Sequence, residues 1–330
     1  MNINKYKNIP KVELHVHLDC SLSFSVVNRI DPKIDIEEYK SSFQAGSTCS
    51  SLNHYISCAD RAIELMQSKE NLELVVEDLF QQLKNDNVIY VEIRFAPLLH
   101  CSKGLNERDV VEIICKSAYS ESKKNDIECG LILCTLRHYS KEQSLKTVTL
   151  VKEFYKKGVV GFDIAADEAG YPIDNHIEAF NYAKSNNLNI TAHAGEAKGP
   201  ESIWESIDKL HAKRIGHGVR CIEDPKLMNY LIQNDYHLEI CLSSNIKTKT
   251  FDSFDDHPVN KIYNSSISMS LNTDGRAISV TDLAKEYSIA YKKFNWDFEK
   301  IKKCNLQAIK HAFTSNTIKK KIIERLEKSF

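Results

Sequence analysis

The stretch KVELHVHLDC, residues 11–20, decides how the rest of the chain reads. It is a short apolar run that carries two histidines one residue apart. Residues i and i+2 on a strand project to the same side, so His15 and His17 point together at the end of the run. Two readings are open from these ten residues alone. The pair is a set of metal ligands, or it is two imidazoles held in a core, each needing its own hydrogen-bond partners.

Working outward, runs rich in Val, Ile and Leu recur at 12–17, 88–96, 129–138, 159–166, 188–195, 213–218, 237–243 and 268–274. Several are too continuously apolar to have a solvated face. Between them, NERDVVEIICKSAYSESKK (106–124) and TDLAKEYSIAYKKF (281–294) place apolar residues at three- and four-residue spacing. The segment from 172 to 187 opens with Pro172 and Asp174, which predicts a helix start there. Strands alternating with helices imply a parallel sheet, and about eight such units imply a closed α/β barrel of the TIM type, (β/α)8. A doubly wound open sheet is the alternative, weakened because no GxGxxG turn follows the first strand. The connection from about residue 20 to 86 is far longer than a normal βα loop. It holds helical material such as SLNHYISCADRAIELMQ, which predicts a lid over the barrel mouth. With no linker or low-complexity tract, residues 1–330 are expected to form a single domain.

Composition narrows the function. The chain is 42% hydrophobic and 27% charged with a formal charge of −1, so there is no bulk electrostatic case for nucleic acid or a membrane surface. The run IKKKIIER reads as a solvated helix face. No apolar stretch approaches the roughly 20 residues of a membrane span, and the N-terminus lacks the apolar core of a secretion signal. Ten scattered cysteines without a CxxC pair point to reduced thiols and a cytoplasmic protein.

Three further strand ends extend the HxH pair. TAHAGE places His193 at the end of the fifth strand with Glu196 three residues on, RIGHG places His217 at the end of the sixth, and LNTDG places Asp274 at the end of the eighth. Alone, Asp274 reads as a helix cap and His217 as a local hydrogen-bonding residue. In a barrel, all of them converge on one mouth. Three histidines and a carboxylate match the nitrogen and oxygen preference of Zn²⁺. His15, His17, His193 and Asp274 are expected to form the shell with a water, leaving Glu196 and His217 for proton transfer. The fourth strand end, DIAADEAG, offers no lysine to bridge two ions, so one metal is expected.

In this order, PKVELHVHLD, HAGE, RIGHG, SSN and LNTD resemble the motifs of the adenosine deaminases of the amidohydrolase superfamily. YVEIRFAP and DIAADE are similar to that family's second and fourth strands. The resemblance runs from about residue 9 to 290 and implies a barrel with one zinc that removes ammonia from C6 of adenosine or 2′-deoxyadenosine in purine salvage. It implies His15, His17, His193 and Asp274 as zinc ligands, Glu196 as the proton donor to purine N1, and His217 beside the attacking hydroxide. Asp19 would take the ribose 5′-hydroxyl, and Leu52, Tyr55 and Ile56 of the lid would cover the substrate. The implied partners are a small purine nucleoside and water; oligomeric state is open.

The chain departs from the family pattern at three places. Many members carry a second aspartate toward purine N7 where this chain has Gly275, with Arg276 next to it as a candidate to fill the gap. The glycine whose backbone N–H faces purine N3 is Ala166, which keeps that N–H. Cys20 stands where a glycine is usual. These departures touch substrate choice rather than chemistry. They leave open a related aminohydrolase acting on adenine or on a modified or 5′-substituted adenosine. A catalytically silent barrel is the reading from another class, and it would have no physical need for the full set of reactive residues.

Overall fold

In a computed structural model, the structure describes residues 4–46 and 49–329. Ser47 and Thr48 of the expected insertion lie outside the described residues, as do Met1, Asn2, Ile3 and Phe330 of the expected domain. The eight expected strands form: β1 (Lys11–His17), β2 (Val88–Phe95), β3 (Glu128–Leu136), β4 (Val159–Ala165), β5 (Thr191–Ala194), β6 (Arg214–His217), β7 (His237–Ile240) and β8 (Ser268–Leu271). They pair in parallel, in chain order, as two four-stranded sheets, β1–β4 and β5–β8. Single parallel bridges join the sheets, Phe162 to Ile190 on one side and Val16 to Asp274 on the other. At the second seam the His17 N–H donates to the Asp274 carbonyl and the Asp274 N–H to the His15 carbonyl, both at 2.9 Å. The strands therefore run round a (β/α)8 barrel with helices outside.

The helices follow from their caps and apolar faces. Asn106 caps Glu107–Asn125 through its side chain, Ser140 and Gln143 form a capping box at Lys141–Phe154, and Pro200 opens Pro200–Asp208. Asn305 of Phe298–His311 accepts the Val12 N–H at 2.8 Å, tying the C-terminal part of the chain to β1. In Asn316–Glu327, Ile322 and Leu326 face inward while Lys320 and Lys321 are exposed, as a solvated face requires.

Several boundaries differ from the sequence reading: β5 starts at Thr191 rather than 188, and β8 stops at Leu271, which leaves Asp274 in the turn beyond it. The helix expected from Pro172 starts at Ile177, after a single turn of 3₁₀ helix at Asp174–His176. Buried His176 bonds the Arg137 carbonyl at 3.1 Å and the Ser144 hydroxyl at 3.0 Å, which pins that turn. The strand expected over 237–243 stops at Ile240, and Leu242–Lys247 turns into a helix whose Ser243 N–H is taken by the Glu286 carboxylate at 3.2 Å. Within the long first connection, Lys69–Asn85 packs on Glu107–Asn125 as an ordinary outer helix. Among the described residues the insertion proper is therefore four short helices, Phe24–Ile30, Ile36–Ser42, Leu52–Ser57 and Asp60–Leu65.

Candidate active site

The C-terminal ends of β1, β5 and β6 and the turn after β8 bring the expected residues together. The ligating atoms of His15, His193, His217 and Asp274 lie within 4.8 Å of one another. His17 joins them, its Nε2 3.2 Å from His193 Nε2 and 3.3 Å from Asp274 Oδ1. Four imidazoles and a carboxylate thus face one point, one more imidazole than the expected ligand set. Their second nitrogens tell them apart. His15 Nδ1 lies 2.9 Å from Glu239 Oε2, and His193 Nδ1 lies 3.1 Å from both Asp163 Oδ2 and the Ile164 carbonyl. Each therefore donates from Nδ1 and turns an Nε2 lone pair to the common point. His15 Nε2 is buried with no hydrogen-bond partner, and the His17 and His193 nitrogens face each other across 3.2 Å. Neutral imidazole lone pairs so arranged fit a cation.

His217 is set differently. The His257 Nδ1 accepts the Val259 N–H at 3.2 Å, so its own proton is on Nε2 and goes to Asn245 Oδ1, also 3.2 Å away. The Asn245 amide nitrogen then faces His217 Nδ1 at 3.1 Å, which leaves the His217 proton on Nε2, 3.5 Å from Glu196 Oε2. Glu196 is 4% exposed. Burial pushes its carboxyl well above the usual range, helped by the negative charges of Asp274 and Glu168. Asp274 moves the other way: burial alone would raise it, but the imidazoles packed round it, His15 first and then His17 and His217, hold it well below the usual carboxylate range. Surroundings that push two carboxyls apart in this way are able to separate a proton donor from a charge holder.

The backbone is bent to make this mouth. Ala166, His217 and Asp274 take left-handed φ values of 77°, 60° and 62°, conformations that cost a residue with a Cβ about 1 kcal/mol or more and persist only where surroundings impose them. Gly216 leaves room for His15, since a Cβ there would lie 3.0 Å from its ring.

The remaining expected residues line the same cavity: Asp19, Leu52, Tyr55, Ile56 and Ala166 stand around His17, Glu196, His217 and Asp274. Asp19 is pushed up to about 6 by burial. His17 Nδ1 and His100 Nε2 are each 3.9 Å from its oxygens, beyond hydrogen-bond reach. Gly275 sits behind Cys20 and Tyr55. Arg276, a candidate to fill the gap beside it, does not. Its guanidinium is turned into the core, 2.7 Å from Glu13 and 3.0 Å from Asp86, because two buried carboxylates there need a cation.

Four residues essential to this geometry are not singled out by the sequence reading. Glu168 accepts the N–H groups of Gly195, Glu196 and Lys198 at 2.7, 3.0 and 2.9 Å and so fixes the turn that presents Glu196. Asp163, Glu239 and Arg94 lie inside the barrel beneath the imidazoles. Asp163 and Glu168 open and close the quoted DIAADE segment, and Arg94 lies in YVEIRFAP. Asp163, Arg94 and Glu239 are charges set among apolar residues, and that placement is the signal that marks them.

A parallel barrel with imidazoles and carboxylates gathered at its C-terminal mouth defines a hydrolase of the amidohydrolase type. The chain belongs to the adenosine deaminase family: the family profile described as Adenosine deaminase matches residues 10–329. It is 38% identical over 327 residues to an adenosine deaminase of Clostridium acetobutylicum, covering 97% of this chain and 98% of that one. It is 35% identical over 322 residues to that of Clostridium perfringens, covering 96% and 97%. Among solved structures it is similar to the Arabidopsis N6-mAMP deaminase, with a TM-score of 0.88 and 26% identity over 98% of this chain and 99% of that one. Among the described residues no helix is long and apolar enough to cross a membrane.

Proposed function

We propose that this protein hydrolyses adenosine and 2′-deoxyadenosine to inosine and 2′-deoxyinosine with release of ammonia, using one Zn²⁺ per chain, in cytoplasmic purine salvage and within one barrel domain. The observation that carries the reading is the buried Glu196 carboxyl set 3.5 Å from His217 Nε2 at the edge of the imidazole cluster. His15, His17 and His193 through Nε2, and Asp274 through its carboxylate, are the residues that would hold the metal. Zinc bound there supplies a water acidic enough to act as a nucleophile near neutral pH.

The chain's own groups divide the remaining work. Attack on C6 of a purine costs aromaticity unless N1 gains a proton as the bond forms, and Glu196 is the acid that gives it. His217 directs its Nε2 proton toward the attacking oxygen and orients it. The Ala166 N–H faces purine N3. Asp19, with no hydrogen bond from either neighbouring imidazole, accepts from the ribose 5′-hydroxyl. Leu52, Tyr55 and Ile56 exclude water above the ring.

A second reading comes from the similarity to an N6-mAMP deaminase: a substrate bearing a 5′-phosphate. The carboxylate of Asp19 at the sugar end opposes a phosphate by like charge, which favours the nucleoside. Ammonia release measured on adenosine, 2′-deoxyadenosine, adenine, AMP and N6-methyl-AMP tests both. Adenosine and deoxyadenosine are expected to lead the panel. Equal rates for adenosine and free adenine would remove the Asp19 assignment, and a preference for the nucleotides would establish the second reading.

A further inference from the structure

Gly275 has a spatial reason rather than a conformational one. Its φ is not in the left-handed region, so the backbone does not demand glycine. A Cβ built there would lie 2.9 Å from the Cys20 Cβ, 2.9 Å from the Tyr55 hydroxyl oxygen and 3.2 Å from the Cys20 carbonyl. Tyr55 arrives from the lid helix Leu52–Ser57 and is 4% exposed. Its hydroxyl shares a 2.7 Å hydrogen bond with the Ser279 hydroxyl, and the Ser279 N–H donates to the Gly275 carbonyl at 2.8 Å. Ala45, Cys49, Ala59 and Ile278 close round Tyr55 as a small apolar cluster, with Cys20 against it. The backbone continues the seam: the Ala45 N–H donates to the Ile278 carbonyl at 2.9 Å, and the Ala277 N–H to the Cys20 carbonyl at 3.1 Å.

We propose that Gly275 and Cys20 together form the seat of the Tyr55 hydroxyl, making Tyr55 a specificity-determining wall of the pocket in the space a side chain at 275 would take. The lid then supplies a piece of the binding site that the barrel has given up. Closing the lid and completing the pocket become the same contact. The substrate edge on this side meets a neutral hydroxyl and a thiol, not a charge. This rests on the proposed function only for the choice of substrate.

The test is a double-mutant cycle on the full chain, with Gly275→Ala, Tyr55→Phe, Cys20→Gly and the paired combinations. Gly275→Ala is expected to raise KM about tenfold or more with kcat changed about threefold at most, because it unseats the lid and not the chemistry. Tyr55→Phe removes one of the two closest crowding atoms, so in that background the same substitution should cost several-fold less, the Cys20 Cβ contact remaining. Cys20→Gly should relieve it in part. Limited proteolysis of the segment Leu52–Leu65 reads the same seam without substrate: Gly275→Ala should be cut faster than wild type, and much less so when paired with Tyr55→Phe. Fold-changes in KM that simply multiply, or cleavage rates that do not move, would overturn the seat. A wild-type protein inactive on adenosine would overturn the deaminase reading alone, since the cleavage rates would still decide this one.

Discussion

Arg94 stands between two carboxylates, 2.8 Å from Asp163 and 2.7 Å from Glu239, and each of those carboxylates holds a different imidazole of the site. Burial alone would raise both carboxyls; His193 and then Arg94 hold Asp163 low, and Arg94 and then Arg214 hold Glu239 low, so one guanidinium on β2 touches both groups that fix the Nδ1–H form of His15 and of His193.

Replacing Arg94 with Gln should strip a buried charge from two partners, at a cost of about 3–5 kcal/mol in stability, and lower metal affinity about 10–100-fold through the two misaimed imidazoles. Thermal unfolding and chelator competition measure the two effects separately. Cobalt loaded in place of the native ion should show an altered visible spectrum in Arg94→Gln. An unchanged spectrum and affinity would reduce Arg94 to a purely structural role.

Glu196→Gln should keep the metal and bind substrate, yet lose several orders of magnitude in turnover. Because the folded carboxyl sits above its ordinary value, the acid form persists toward neutral pH, and wild-type kcat/KM should fall as pH rises through that raised pKa. The stability sign is the same: the contribution of a raised carboxyl is complete below its unfolded value and is lost as pH rises through the folded one. The glutamine variant should therefore gain stability on wild type toward alkaline pH. A near-wild-type rate would end the proton-donor assignment.

Asp19 makes a second pH signature. Its folded value of about 6 against 3.8 means that kcat/KM for adenosine should climb as pH rises through about 6 and the carboxylate becomes a full acceptor. Asp19→Asn should flatten that limb and, by removing a buried ionising group, stabilise the fold at pH 7. Loss of a hydrogen bond to a charged group predicts about 1.5–3 kcal/mol in kcat/KM for Asp19→Ala, visible with adenosine and absent with adenine.

Ala166 holds a φ of 77° with a Cβ in place. Ala166→Gly should relieve that strain and stabilise the protein, by about 0.5–1 kcal/mol net of the greater freedom of the unfolded chain, with activity retained because the N–H stays. Denaturant titration reads it. Destabilisation would mean that the alanine methyl contributes more to packing than the strain costs.

The barrel and the mouth were legible because strand ends carry their own punctuation: His15, His17, His193, His217 and Asp274 each close or follow a run of apolar residues. What lay beyond the sequence was the partner on the far side of each group. Nothing near Arg276 announces that Glu13 and Asp86 claim its guanidinium, and nothing near Gly275 announces a tyrosine from the distant lid, Tyr55. Arg94, Asp163 and Glu239 alternate along strands like any other charge until the barrel folds them under the imidazoles. The late start of the helix at Ile177 depends in the same way on His176 meeting Arg137 and Ser144 from another segment.

The seam between β1 and β8 has a consequence for how the site comes into being. His15 and His17 belong to one half-sheet, while His193 lies on the other and Asp274 follows it, and the Asp274 backbone itself closes the ring against Val16. A cation held by these four side chains, as proposed, would clasp the suture between the halves. Neither half of the barrel carries the complete set, so the proposed ligands come within reach of one another only where the ring closes.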